Sequence, residues 1–503
     1  MDVAADSELR PGGTGARRAR RRTVYERAEA EVPSAEIRAA LAGARRRPFW
    51  LDDPRRPDAA PALAGEVDTD LAVVGGGFAG LWTALRAKER DPARRVVLLE
   101  ARRIGWAASG RNGGFCEASL THGDANGVRH LPGELDRLRE LGRENLAELV
   151  ATIERYDIDC DLERTGTLNV ATEAHEVAWL AEEADEAGAE PAPDAGAATV
   201  FFDAAAVRAE VASPLYRAGL WDTAGTVLLN PAKLAWGLAR VCRELGVEVY
   251  EHTPVRALAA TADAVTLDTD GGTVTARRVA LATNAFPSLL RRTRLHTVPV
   301  YDYALMTEPL TADQLDAIGW RRRQGLADLS NRFHYYRLTA DNRILFGGYD
   351  AVYHYGGRVR PEHETNEATF ERLAAHLLAT FPQLRGIRFT HAWGGAIDTC
   401  SRFFAFFTTA HGGRVASAAG FTGLGVGATR FAGDVMLDLL DGVRTERTAL
   451  AMVRRRPRPF PPEPLAWLGI TLTVAALARA DRREGRRGPW LRLLDALKLG
   501  FDS

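Results

Sequence analysis

Asp70-Leu-Ala-Val-Val-Gly-Gly-Gly-Phe-Ala-Gly80, continued by Leu81-Trp-Thr-Ala-Leu-Arg-Ala-Lys-Glu-Arg90 and by Val96-Val-Leu-Leu-Glu100, is the stretch from which the rest of the chain can be read. Leu71 to Val74 is a short apolar run of the kind that forms a buried parallel strand. Gly75, Gly77 and Gly80 follow with G-x-G-x-x-G spacing. The first glycine permits a tight turn, the second lets a pyrophosphate approach the backbone, and the third lets the next helix pack close to the strand. That helix is expected to start near Phe78 and Ala79, with its free N–H groups and positive dipole end toward the phosphates. A second apolar strand, Val96 to Leu99, ends in Glu100, roughly 20 residues after the last glycine, where a ribose hydroxyl would be held. Strand, helix, strand and terminal acid in this order predict a bound dinucleotide. They do not separate a flavin from a nicotinamide dinucleotide.

The 503 residues are enough for two domains, and 46% hydrophobic with 26% charged residues is the composition of a globular protein. A formal net charge of -1 gives no global field to attract nucleic acid or a membrane. The four cysteines, Cys116, Cys160, Cys242 and Cys400, form no C-x-x-C pair and no zinc-spaced cluster, so no metal is expected and a cytoplasmic location is. Residues 1–45 are rich in Ala, Arg, Gly and Glu and include Arg17-Arg18-Ala19-Arg20-Arg21-Arg22. They read as a disordered extension, and deleting residues 1–34 is expected to leave stability nearly unchanged. The apolar run from Leu465 to Ala480 is shorter than the about 20 residues that span a bilayer. It reads as a docked amphipathic helix, without membrane contact.

After Glu100, Ala101 and Arg102 lead into Gly105-Trp106-Ala107-Ala108 and then Ser109-Gly110-Arg111-Asn112-Gly113-Gly114. Such a glycine-rich loop can pass close to a flat ring and offer N–H groups to its polar edge. Residues 134–155 have helical apolar spacing, another helix is expected around 173–188, and Pro191 to Ala198 reads as a loop. A second α/β unit covers 226–285: a helix opened by Pro231, a strand at Val247 to Tyr250, a hairpin about Asp270-Gly271-Gly272, and a buried strand running into Ala282-Thr283-Asn284. Residues 298–350 are strand-rich and aromatic. In Phe333 to Leu338, alternation sends Phe333, Tyr335 and Arg337 to one face and His334, Tyr336 and Leu338 to the other. A ligand-pocket wall is expected here, with Tyr301, Tyr336, Tyr349 and Trp393 as its lining. A second glycine-rich helix start, Gly420-Phe421-Thr422-Gly423-Leu424-Gly425, follows.

Val-Val-Gly-Gly-Gly-Phe-Ala-Gly, Ala-Ser-Gly-Arg-Asn-Gly-Gly, Ala-Thr-Asn-Ala at 282–285 and Gly-Phe-Thr-Gly-Leu-Gly occur in this order, and together they resemble the D-amino-acid oxidase / glycine oxidase (DAO) superfamily of FAD-dependent oxidoreductases. Within it the chain is most similar to the gamma-glutamylputrescine oxidoreductase group. The resemblance covers residues 48–445. It implies an α/β fold: a Rossmann-like FAD domain of the glutathione-reductase type built from 66–155, 226–295 and 390–445, a mixed-sheet α+β substrate domain from 156–225 and 296–389, and a C-terminal helical extension over 446–503. By matching position, Gly75, Gly77 and Gly80 would hold the pyrophosphate and Glu100 the adenosine ribose. Ser109 to Gly114 would run along the flavin and Val255 would meet the adenine. Thr283 and Asn284 would close the ribityl side, and Thr422, Gly423, Leu424 and Gly425 would lie at the pyrimidine end.

The departures shape the expected chemistry. Relatives that carry covalent FAD use a histidine after a tryptophan in the loop, where this chain has Trp106-Ala107, or a cysteine where it has Trp393-Gly394-Gly395; non-covalent FAD is therefore implied. The Arg and Lys with which sarcosine oxidases grip a substrate carboxylate correspond to Phe115 and Gly427, which argues against a small N-methyl amino acid held in that way. The implied reaction is oxidation of a C–N bond of an amine or amino acid by hydride transfer to the flavin, giving an imine that hydrolyses. The alternatives are an N-methyl or D-amino-acid dehydrogenase or oxidase of the same superfamily, a non-catalytic FAD-binding subunit, and an NAD-binding dehydrogenase. No catalytic base is evident. Only Lys88, Lys233 and Lys498 could supply the oxygen-activating lysine of some relatives, and none falls in a pocket segment. A dehydrogenase is thus favoured over an oxidase, His334 or Arg337 being possible substitutes for the lysine. The expected partners are a small-molecule amine and an unidentified electron acceptor.

Overall fold

A computed structural model describes residues 21–189 and 198–499. The decisive stretch folds as strand Gly65–Val74, helix Phe78–Arg90 and strand Val96–Leu99. The two strands pair in parallel, Leu71 opposite Val96 and Val74 opposite Leu99. Strand Gly272–Leu281 lies in parallel on the other side of the first strand, Val415–Ala419 continues the sheet beyond it, and Val247–Tyr250 closes the far edge. Leu71 to Val74 and Val96–Leu99 are continuous apolar runs, buried throughout as central parallel strands are. Helix Phe78–Arg90 is wedged between helices Pro231–Glu244 and Gly425–Asp441, and Arg90 ties it to the latter through Asp434 and Asp438, both at 2.7 Å.

The second sheet has nine strands and carries the aromatic residues. Val298–Thr307 is its longest shared partner. It runs antiparallel to Ile344–Gly348 on one side and to Phe389–Thr399 on the other. His334–Leu338 pairs beyond Ile344–Gly348, and Gly325–Asp328, Thr167–Ala171, Ala218–Asp222 and Thr199–Phe202 extend the sheet outward. The boundary expected at residue 390 is therefore corrected. Phe389–Thr399 belongs to the substrate sheet, because its register with Val298–Thr307 is nearly unbroken, and the chain returns to the first sheet only at Phe406–Ala410.

The ends of the chain also differ from expectation. Residues 1–20, most of the Arg17–Arg22 run and residues 191–197 of the Pro191–Ala198 loop lie outside the described residues. Residues 23–45 are ordered. Thr23 and Glu26 form a capping box that starts helix Val24–Glu31, and helix Ser34–Leu41 follows. Average composition hid the fact that Tyr25, Ile37 and Leu41 all fall on buried faces. Tyr25 sits with its ring 4.3 Å from that of His334 and 4.8 Å from that of His376. Those histidines are hydrogen-bonded to each other at 2.9 Å, and His334 is bonded to Asp328 at 2.7 Å. Deleting residues 1–34 should therefore destabilise the protein. Tyr25→Ala alone is expected to cost about 3–5 kcal/mol, as truncation of a buried aromatic ring does. Urea denaturation followed by tryptophan fluorescence checks this, and an unchanged midpoint would show that the helix contributes no stability.

The C-terminal helix Leu465–Asp481 is not amphipathic. Of its 17 residues only Ala466, Ala480 and Asp481 are buried, and it is apolar on all sides. No helix among the described residues is long and apolar enough to cross a membrane.

Candidate active site

Between the two sheets runs a cavity of about 1420 Å³. One end is the glycine turn. Gly75 has a φ of +113°, and a Cβ there would stand 2.4 Å from the Ala282 carbonyl oxygen, so only glycine fits. Gly75, Gly77, Phe78 and Ala79 line the cavity. Gly80 does not line it: a Cβ there would lie 1.9 Å from the Gly75 oxygen, so its task is to let helix and strand touch. The helix N-cap, Gly77, has no side chain, and Ser109 from the distant loop supplies the missing acceptor. Its Oγ takes the Phe78 N–H at 2.9 Å. The next N–H groups, of Ala79 and Gly80, belong to the free first turn that an anion can occupy.

Glu100 is buried at the end of the second strand. It accepts from the N–H groups of Gly76 at 2.6 Å and Arg102 at 2.8 Å, and from the Trp106 indole at 2.8 Å. Burial nevertheless holds its carboxyl above the ordinary range, with the three donors opposing the shift. Ala101 and Arg102 line the cavity beside it, with the Arg102 guanidinium 4.3 Å above the Trp106 ring.

Two indoles hold the loop Ser109–Gly114. Trp50 donates to the Asn112 carbonyl at 2.9 Å, and Trp393 donates to the Arg111 carbonyl at 2.8 Å. Arg111 itself reaches the substrate sheet, donating to the Gly394 carbonyl at 3.0 Å and pairing with Glu364 at 2.7 Å. Ser109, Arg111, Asn112 and Gly113 line the cavity, whereas Gly110 and Gly114 turn into the packing beneath, toward Leu51 and Leu229. Val255, Thr283 and Asn284 line the wall next to Glu100 and the glycine turn, and Thr422, Gly423, Leu424 and Gly425 line the other end, at the start of helix Gly425–Asp441. Two residues there escaped the sequence reading. Asp398, buried, accepts the Gly420 N–H at 2.6 Å and so positions this turn; burial raises its carboxyl to about 7. His122 faces Gly423, and burial lowers its imidazole to about 4, which leaves it neutral at physiological pH.

Tyr301, Tyr349 and Trp393 line the substrate side of the cavity; Tyr336 does not. Its strand presents the other face: Tyr336 is fully buried and its hydroxyl meets that of Tyr216 at 2.6 Å. The neighbour on the cavity face is Tyr335. Its ring lies across Gly347, where a Cβ would be 2.7 Å from it, and against Gly113 of the loop. Its hydroxyl donates to Asp302 Oδ2 at 2.6 Å, and the Tyr303 N–H donates to Oδ1 at 2.7 Å. Burial raises the Asp302 carboxyl to about 6. Asp302 and Tyr335 are two further residues that sequence reasoning missed. The signal available was an acid between two tyrosines in an apolar strand, Tyr301-Asp302-Tyr303. No lysine lines the cavity: Lys88 donates to the carbonyls of Pro92 and Arg94, and Lys233 pairs with Asp161 at 2.5 Å. His334 and Arg337 do not line it either.

These features fit an FAD: a glycine turn that a Cβ would block, a helix start with free N–H groups, an acid beyond the second strand, and a loop without bulk along one wall. The comparisons agree. The profile of the DAO family, FAD dependent oxidoreductase, matches residues 70–439. The chain belongs to this family and is an FAD-dependent oxidoreductase. It is 35% identical over 412 residues to the gamma-glutamylputrescine oxidoreductase of Escherichia coli, covering 79% of this chain and 89% of that one. It is 27% identical to the probable oxidoreductase OrdL of Haemophilus influenzae, over 79% of this chain and 88% of the relative. The fold is that of glycine oxidase from Geobacillus kaustophilus, with a TM-score of 0.61 at 19% identity over 77% of this chain and 99% of that one.

All four cysteines are buried and unpaired, and none lines the cavity, where the one histidine is His122. Acid precipitation of the purified protein should therefore release its flavin into the supernatant as intact FAD. Yellow colour retained in the washed pellet would show a covalent bond, with His122 its first suspect.

Proposed function

We propose that this chain oxidises the C–N bond of an extended amine and that Asp302 receives the proton the amine must lose. The observation that carries the reading is the Asp302–Tyr335 pair, set across Gly347 and against Gly113 of the loop. Hydride leaves the α-carbon only when the nitrogen lone pair is free, so the site must bind or generate the neutral amine. A carboxyl at about 6 is ionised at neutral pH yet close enough to it to exchange a proton efficiently. Tyr335 fixes that carboxylate by donating to one oxygen, and the Tyr303 N–H fixes the other. The aromatic walls formed by Tyr301, Tyr335 and Trp393 exclude water from the reacting carbon. Bound FAD supplies the hydride acceptor. Loss of a proton and a hydride leaves an imine, which water converts to a carbonyl compound and the departing amine or ammonia.

An extended substrate is favoured over a compact amino acid on two grounds. Beyond the end that FAD would occupy, the cavity continues past the substrate sheet to helix Leu465–Asp481. The arginines beside the pair are already engaged: Arg111 by Glu364, and Arg332, stacked on Tyr349, by Glu26 and Asp481. A gamma-glutamyl diamine, the substrate named in the Escherichia coli relative, has the required reach. With no lysine on the cavity wall, oxygen is a poor acceptor and a dye or quinone a better one. The buried free thiols suit a reducing, cytoplasmic setting.

Anaerobic titration with gamma-glutamyl amines, polyamines, D-amino acids and N-methyl amino acids tests the reading. Gamma-glutamyl amines or polyamines should bleach the flavin at the lowest concentration, and admitted oxygen should restore the colour more slowly than a phenazine dye does. Bleaching by compact amino acids alone would favour the D- or N-methyl amino-acid reading. No bleaching by any amine would point to a non-catalytic FAD-binding subunit.

A further inference from the structure

The C-terminal segment 454–499 differs from the rest of the chain in charge and in surface. It holds eleven basic side chains and four acidic ones, a surplus of seven positive charges in a protein whose net charge is -1. The four acids are all engaged: Glu463 by Tyr353, Asp481 by Asn331 and Arg332, Glu484 by Arg21, and Asp495 by Arg487. Arg454, Arg455, Arg456 and Arg458 before helix Leu465–Asp481, Arg479 in its last turn, and Arg483, Arg486 and Arg492 beyond it are exposed.

Between these basic clusters lies exposed apolar surface. Six of the eleven large hydrophobic side chains exposed among the described residues fall between 465 and 497: Leu465, Trp467, Leu468, Leu472, Leu493 and Leu497. A seventh, Tyr355, packs edge-on against Trp467. No charged residue occurs from Leu465 to Ala478. Scattered exposed leucines need no explanation, but Leu465, Leu468 and Leu472, on one face of a helix flanked in sequence by arginines, do.

We propose that this helical pair docks the enzyme on an anionic lipid bilayer. At 17 residues the helix is about 25 Å long and lies on the surface rather than across it. Leucines and a tryptophan enter the interfacial region while the flanking arginines meet acidic headgroups, whose potential attracts each basic residue near the surface. This reverses the expectation that the segment has no membrane contact. That expectation rested on an apolar run too short to span a bilayer, beside a net charge of the whole chain that conceals the segregation. A second copy of the chain is the competing occupant, but it would bring the same seven-charge surplus against itself. The inference does not depend on the substrate.

The test is co-sedimentation of the full-length holoprotein with vesicles of phosphatidylcholine alone or mixed with phosphatidylglycerol. Wild type should pellet with the mixed vesicles, far less with phosphatidylcholine alone, and be released by high salt. Leu468→Asp/Leu472→Asp and, separately, Arg483→Glu/Arg486→Glu should each lower partitioning roughly tenfold or more, with FAD content and dye reduction in detergent-free buffer unchanged. Wild type remaining in the supernatant with anionic vesicles overturns the proposal. So does a leucine variant that turns a wild-type dimer into a monomer in sedimentation velocity while binding vesicles as well as wild type.

Discussion

Replacing Asp302 by asparagine is expected to lower the rate of flavin reduction by about 10²–10⁴-fold, the usual contribution of a positioned base. Asparagine can keep both contacts, its oxygen accepting the Tyr303 N–H and its amide donating to the Tyr335 hydroxyl, so the pocket keeps its shape and FAD content should not change. The pH profile separates a chemical role from a structural one. In the wild type, kcat/KM for the amine should rise as pH passes through about 6, where Asp302 ionises. The variant should lack that limb. Stability should move the other way. A carboxyl whose folded value is raised favours the folded state below its unfolded value, and that contribution is lost as pH rises through about 6. Removing the charge should therefore leave Tm at neutral pH equal or higher. Anaerobic stopped-flow and a melting curve at two pH values suffice. An unchanged reduction rate would remove Asp302 from the chemistry.

The second large effect separates two glycines three residues apart. Gly77→Val should abolish FAD binding and leave a folded, colourless protein. Its side chain would enter the cavity and press on Ser109 Oγ, which a Cβ would approach to 2.9 Å, displacing the acceptor that caps the helix. Gly80→Val should prevent folding. Its Cβ would stand 1.9 Å from the backbone oxygen of Gly75, and neither helix nor strand can retreat without opening the core around Leu81 and Val73. Absorbance at the flavin band and far-ultraviolet circular dichroism distinguish the two. Stoichiometric FAD in Gly77→Val would mean that the pyrophosphate lies elsewhere.

The cofactor side was legible because its parts are close in sequence. Gly75, Gly77 and Glu100 fall within one strand–helix–strand unit, and each glycine answers to a local steric demand. The substrate side was not legible, because antiparallel register assembles it. Asp302 and Tyr335 are 33 residues apart and meet only because Ile344–Gly348 lies between their strands with a glycine where the ring must cross. Alternation puts Tyr335 and Tyr336 on opposite faces but does not say which face the cavity occupies, and it is Tyr335, not the expected Tyr336, that lines it. At the N-terminus, average composition concealed the helix that the Thr23–Glu26 capping box starts, and no single-sequence signal announces that Tyr25 docks beside His334 and His376. Ser109 as a cap for a helix 31 residues earlier was equally invisible.

The two indole bonds on the loop have a bearing on how the enzyme turns over. Trp393 grips Arg111 from the substrate sheet, Trp50 grips Asn112 from the N-terminal entry, and the loop itself leaves the first sheet through Glu100. A clamshell motion of one sheet away from the other would have to break both bonds along with the Arg111–Glu364 pair. Substrate exchange is therefore expected to proceed with the two halves latched; residues of the 465–499 segment line one side of the cavity. The indole protons of Trp50 and Trp393 should accordingly be among the slowest to exchange with deuterium, and equally slow with and without amine.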